Sequence, residues 1–142
     1  MNVYSDSNYT VDFVDEGNIL RFGWKDGHES MNYEDFKESC CNFIGFGFEY
    51  GAEKILIDVR NFALQLPPEF PEWQKKKHHP RYKKLGIQKV VYLMPEVAVD
   101  HSKKIEKDEH GFELQNFSDE TLALRWLNTS LFEGGEMNSN IY

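Results

Sequence analysis

The sequence predicts an α/β domain: a mixed, mostly parallel sheet of about five strands with helices packed on it and an N-terminal β-hairpin. Three observations carry that prediction. Residues 54–62 (KILIDVRNF) and 89–94 (KVVYLM) are short, β-branched runs apolar on both faces, as strands covered on both sides must be. Stretches with helical spacing alternate with them, so neighbouring strands are joined by crossovers and run parallel. Before Trp24, by contrast, apolar residues recur with a period of two around a turn sequence.

Taken in order, Tyr9, Val11 and Phe13 alternate with Thr10 and Asp12, and Leu20, Phe22 and Trp24 alternate with Arg21 and Gly23, giving two half-buried strands. Asp15-Glu16-Gly17-Asn18 between them supplies residues that tolerate positive φ, so the two form an antiparallel hairpin. From Tyr33 the period lengthens. Tyr33, Phe36, Cys40, Phe43, Ile44 and Gly47 fall on one helical stripe, with Asn32 as N-cap and Glu34 and Asp35 where the helix dipole favours acids. Gly51 is the natural stop, although Phe46, Phe48 and Tyr50 also fit a period of two. Residues 54–62 then make the central strand. Three prolines within 64–71 impose a loop or first helical turn, residues 72–78 turn helical, Pro80 breaks or restarts that helix and Gly86 caps it. Residues 89–94 form the next strand, stopped by Pro95, and the charged stretch 97–110 is expected to be a partly exposed helix. Residues 112–117 (FELQNF) alternate as a strand, and Ser118 caps a last helix carrying Leu122, Trp126 and Leu127 on one face. Residues 1–132 thus make one domain, and 133–142 (EGGEMNSNIY) a frayed, flexible tail.

Composition narrows the function classes. With 11 Phe, 7 Tyr and 3 Trp among 142 residues the chain has ample ring area for a packed core, which excludes disorder. A formal charge of -8 and a pI near 5.1 oppose nucleic-acid phosphates and anionic membrane surfaces alike. No apolar run is long enough to span a bilayer, and residues 1–10 lack the pattern of a signal peptide, so a cytoplasmic protein without an integral membrane segment is expected. Cys40 and Cys41 are adjacent, which makes no disulfide framework, and no cation adjoins them to stabilise a thiolate.

The order of elements, together with Lys54-Ile-Leu-Ile-Asp-Val-Arg-Asn-Phe62, Pro80-Arg81 leading through Gly86-Ile87 to Lys89-Val-Val-Tyr-Leu-Met-Pro-Glu96, and Phe117-Ser-Asp-Glu-Thr-Leu-Ala-Leu-Arg-Trp126-Leu127, resembles the STAS superfamily, in its stand-alone SpoIIAA-like branch. The resemblance spans most of the chain after residue 18. It implies a small mixed sheet with packed helices, and a role in protein interaction or small-ligand binding more often than in catalysis. In phosphorylatable members a serine follows the strand corresponding to residues 55–58. Here Val59, Arg60, Asn61 and Phe62 stand in its place, and the next Ser or Thr is Ser102, so control by phosphorylation at this loop is not expected.

Candidate site residues follow from position and chemistry. Asp58, Arg60 and Asn61 sit at the carboxyl end of the central strand, where open α/β sheets place their ligands. Arg60 can bind a carboxylate or phospho-group, or simply pair with Asp58 to pin the loop, and the ion pair is the cheaper account. Phe70 and Trp73, flanked by prolines and charges, are candidate anchors for a partner. Residues 75–84 hold six of the chain's 16 Lys and Arg, including Arg81. That run suits an acidic partner, a phosphate or an anionic headgroup, or else it is a solvated helix face.

His78 and His79 point about a third of a turn apart on a helix and are poor joint ligands. Asp100, His101, Glu106 and His110 could gather only an opportunistic ion, so neither metal nor cofactor is predicted. No nucleophile elbow, phosphate loop or dinucleotide fingerprint occurs, so no catalytic residue is assigned. The expectation is a non-enzymatic, STAS-like interaction or regulatory module without the phosphorylatable serine, contacting a protein partner or a second copy of itself. The alternative is a carrier or sensor of a small apolar or anionic ligand, held between residues 33–51 and 64–73 with its acidic head on Arg60 or Arg81.

Overall fold

A computed structural model describes residues 1–100 and 105–129. Its strands are β1 (Asn2–Ser5), β2 (Tyr9–Val14), β3 (Ile19–Trp24), β4 (Lys54–Asp58), β5 (Lys89–Leu93), β6 (Glu106–Lys107) and β7 (Glu113–Phe117). They form one mixed sheet in the order β1-β2-β3-β4-β5-β7-β6. The expected hairpin is β2 and β3, antiparallel from Tyr9 opposite Trp24 to Val14 opposite Ile19, and its turn carries Gly17 and Asn18 at φ 94° and 55°. From β3 the sheet is parallel through β4 and β5 to β7.

Two strands exceed the expectation, and both are short edges. β1 adds antiparallel to β2 with a bulge between Asn2 and Tyr4, and β6 adds antiparallel to β7. A helix is expected over 97–110, and the described residues of that range form no α-helix. A 3-10 turn at Glu96–Ala98 is followed, beyond 101–104, by β6 and a tight turn closed by Asp108 N–H donating to Phe112 O (2.8 Å). Gly111, at φ 100°, takes the left-handed position that this turn requires. The proposed tail 133–142 lies outside the described residues.

The helices are α1 (Tyr33–Tyr50), α2 (Phe70–Trp73), α3 (His79–Leu85) and α4 (Glu120–Leu127). α1 is capped as its sequence requires: Asn32 Oδ1 accepts from Asp35 N–H at 2.7 Å, and Gly51 closes the other end at φ 68°. The period-two alternative for its last turns loses to the helix, which runs on to Tyr50 and buries Phe43, Ile44 and Gly47. α4 starts one residue later than expected, with Asp119 in place of Ser118 as its cap, and it buries Ala123 and Leu127 while Leu122 stays exposed.

Successive same-handed crossovers between adjacent parallel strands put α1 and α3 on one face of the sheet. Leu20, Phe22, Ile55, Ile57 and Val90 point to that face, where they meet Phe36, Phe43 and Ile44 of α1. Leu56, Val91 and Leu93 point the other way, onto α4. This division explains why β4 and β5 are apolar on both sides. Gly47 lets α1 approach: a Cβ there would stand 3.1 Å from Leu85 Cδ1 and 3.7 Å from Leu20 Cδ2.

α2 and α3 are halves of one helical rod joined by a π turn, Gln74–His78, in which His79 N–H reaches back to Gln74 O. Pro80 has no N–H and its ring crowds the carbonyl four residues back, so the widened turn is where the ladder absorbs it.

Candidate functional site: an aromatic-walled cavity

At the carboxyl ends of β3, β4 and β5, on the α1 face, lies a partly enclosed cavity of about 230 Å³. Its floor is sheet: Phe22 and Trp24 from β3, Ile57 and Val59 at the end of β4, and Tyr92 from β5. One wall is α1, through Phe36, Cys40 and Phe43. The lid is the loop after β4 and the rod that follows it, through Phe62, Leu66, Phe70, Gln74, His78 and Tyr82. Phe70, Gln74, His78 and Tyr82 recur every four residues and so line a single face of that rod. Among the described residues, no Asp, Glu, Lys or Arg lines it.

The loop over the cavity is held by a residue that sequence reasoning passed over. His28, 1 % exposed, accepts the Ala63 N–H at Nε2 (2.9 Å) and donates from Nδ1 to Lys25 O (2.7 Å), which fixes its tautomer. Its ring stacks on Phe62 at 5.3 Å. A histidine alone between polar residues gives no sequence signal of such a role.

Polar groups inside the cavity are few. Gln74 Nε2 donates to the Tyr92 hydroxyl at 3.1 Å, and burial lifts that phenol to a pKa of about 12. Burial likewise raises the Cys40 thiol to about 12, so it is a packing group and no nucleophile. His78, 5 % exposed, meets the Tyr82 hydroxyl through Nε2 at 3.3 Å and stacks on Trp73 at 5.5 Å. Its Nδ1 is buried with no hydrogen-bond partner. Burial, then the nearby His79 and Arg81, lower the His78 pKa from 6.5 to about 3, so its ring is neutral at any physiological pH.

The residues named from sequence separate into two groups. Phe70 is in the cavity wall, and Trp73 lies half-buried behind His78 and against Phe70 (6.0 Å). Asp58 and Arg60 lie on the opposite, α4 face. Arg60 grips Asp58 in a fork (Nε to Oδ1 3.0 Å, Nη2 to Oδ2 2.8 Å), while Arg21 bridges Asp58 (2.8 Å) and Glu120 (2.7 and 2.9 Å). Burial alone would raise the Asp58 carboxyl; Arg60 and then Arg21 reverse this and hold it below its ordinary value. Two guanidiniums facing two carboxylates close the charge account of this cluster, so the ion pair that pins the loop is the observed arrangement. Asn61 is exposed in the turn beyond it, and Arg81 is exposed on the outer side of α3. The other basic residues of 75–84 share that outer side, Lys76 pairing with Glu72 at 2.8 Å and Lys75 approaching Glu109 at 3.9 Å.

A second cluster joins α3 to the β6–β7 turn. One ligand-type atom from each of His79, Asp108 and His110 lies within 4.8 Å of the others, donors of the kind that hold a divalent cation. Asp108 Oδ2 already accepts from both the backbone N–H of His110 (2.8 Å) and its Nδ1 (2.9 Å), and Oδ1 lies 3.7 Å from His79 Nδ1. As it stands the cluster clasps the turn to the helix. Of the group weighed from sequence, His110 belongs to it, and His101 lies outside the described residues.

Comparison with protein-family models, with curated proteins and with solved structures returns no match for this chain. Among the described residues no helix is long and apolar enough to cross a membrane.

Proposed function

We propose that this protein is a carrier or sensor of a small, uncharged, largely apolar molecule, built on a STAS-like scaffold. The observation that carries this reading is the aromatic-walled cavity of about 230 Å³ without a charged side chain in its lining. A dry cavity of about 150 Å³ lined by Leu, Ile and Phe already admits benzene, so the volume suits a molecule of one or two fused rings or a short branched chain. Its place at the carboxyl ends of parallel strands is where open α/β sheets bind ligands. The order of parallel strands and same-face helices is compatible with the STAS resemblance, and the missing serine after β4 argues for ligand rather than phosphate as the input. Phe70 and Trp73, the aromatics an interaction surface would use, are packed into and behind the cavity wall, which favours ligand binding over a protein-docking role. The paired state of Arg60 and the exposure of Arg81 favour an uncharged ligand over an anionic one.

Native mass spectrometry beside the denatured sample tests the proposal, followed by calorimetric titration with naphthalene. An adduct lost on denaturation, or saturable one-to-one naphthalene binding, is the expected result. A bare chain that also fails to bind naphthalene overturns it.

A further inference from the structure

We infer that the molecule held in this cavity is an uncharged ring compound carrying one hydroxyl or similar hydrogen-bonding group, which His78 Nδ1 meets. The inference rests on the ligand-cavity reading above and adds the chemistry of recognition to it.

Among the buried nitrogen and oxygen atoms of the described lining side chains, His78 Nδ1 alone has no partner. An unpaired buried polar atom is costly, and the same atom becomes a discriminating contact once a ligand satisfies it. The ring is held so that it cannot turn away to find a partner elsewhere: it is stacked on Trp73 at 5.5 Å, is edge-on to Tyr82 at 5.0 Å and meets the Tyr82 hydroxyl through Nε2. The Tyr82 contact permits two tautomers. Where Tyr82 donates to Nε2, Nδ1 carries the proton and seeks an acceptor; where Nε2 donates to Tyr82, Nδ1 is an acceptor and seeks a donor. A hydroxyl serves either arrangement, whereas a carboxylate would bring an unpaired charge among aromatic rings. The π turn supplies the placement, since Gln74 and His78 are its first and last residues and both line the cavity.

The test uses three probes of one size, naphthalene, 1-naphthol and 1-naphthoate, titrated calorimetrically at pH 7 into the wild type, His78→Leu and His78→Asn. Wild type is expected to bind 1-naphthol about 10-fold tighter than naphthalene, and 1-naphthoate more weakly than either. His78→Leu should retain naphthalene and bring the naphthol-to-naphthalene ratio to about one, while His78→Asn, whose amide is positioned near the site of Nδ1, keeps a preference. Equal binding of naphthol and naphthalene by wild type, tightest binding of naphthoate, or a naphthol preference that survives in His78→Leu overturns the inference while leaving the ligand cavity standing. Failure of all three probes to bind wild type overturns the inference, and together with a bare chain in native mass spectrometry it removes the cavity reading as well. If His78→Leu does not fold by circular dichroism, the wild-type ratio and His78→Asn decide.

Discussion

Acidification from pH 7 to pH 5 should weaken this fold through His78, and replacing that residue by leucine should remove most of the effect. In the unfolded chain the imidazole takes up a proton below its ordinary pKa of 6.5; in the folded chain burial holds the value near 3. A group whose folded pKa is depressed gives the unfolded state more protons at every pH between the two values, so stability falls as the pH drops through that window. Each unit below 6.5 costs about 1.4 kcal/mol, which amounts to about 2 kcal/mol at pH 5. His79, also lowered, first by burial, adds to the loss in the same direction. Asp6 and Asp58 have folded values below their ordinary 3.8 and lose their contributions only in more acidic solution, so the window from pH 5 to 7 reports mainly histidine. The assay is urea unfolding at pH 7 and pH 5 with the slope held common. The wild type should lose about 2 kcal/mol more than His78→Leu between those two pH values. Equal losses in the two proteins would refute the placement of a neutral, water-excluded imidazole at residue 78.

Lys89→Met should lower the urea midpoint by an amount equivalent to about 2–3 kcal/mol, because the buried ammonium donates to Trp126 O (2.9 Å), Thr129 O (2.7 Å) and Thr129 Oγ1 (2.6 Å) and so satisfies the carbonyl end of α4. An unchanged midpoint would mean that α4 needs no such closure. Arg60→Ala should cost no more than about 1 kcal/mol, its side chain being 40 % exposed, and should leave naphthalene and 1-naphthol affinities as they are; weakened probe binding would return Arg60 to the ligand site. Val59→Phe should raise the melting temperature of the ligand-free protein and weaken naphthalene binding at least 10-fold, both measured on one preparation; tighter binding would show that the cavity lies elsewhere.

The sequence was legible where local chemistry acts alone. The β2–β3 turn follows from Gly17 and Asn18, the start of α1 from Asn32 and its end from Gly51, and β4 and β5 from runs that are apolar on both faces. It misled where pairing partners decide. β1 is four residues with neither end buried, and it exists because β2 offers an open edge. β6 is two exposed residues that β7 recruits, where charge alone suggested a helix. The site divides the same way. Phe70 stood out as an anchor for a partner, and it lines the cavity instead, beside Phe43 and Phe62. That Arg60 turns to the α4 face follows from strand parity, since it reaches back to Asp58, which alternates with the inward-facing Ile57. His78 drew notice only as the neighbour of His79, although the four-residue spacing of Phe70, Gln74, His78 and Tyr82 was the available signal for a shared face.

A void of this size is not a neutral feature of a 142-residue chain. At about 24 cal/mol per Å³, a fully enclosed volume of about 230 Å³ would forgo about 5.5 kcal/mol of packing, on the scale of a whole domain's stability, and this partly enclosed one forgoes a share of that. Nothing in the fold requires that loss. Cys40 on α1 and Val59 just after β4 are small lining residues, and larger apolar side chains there would fill the space. The opposite face shows the chain packing α4 on Leu56, Val91 and Leu93 and closing its charges two against two. On the cavity face it instead pins the covering loop with His28 and displaces the rod with a π turn, holding the walls apart by specific contacts. An occupant at 100 times its dissociation constant would return about 2.7 kcal/mol, so on the proposed reading a ligand would complete a core that the sequence leaves open.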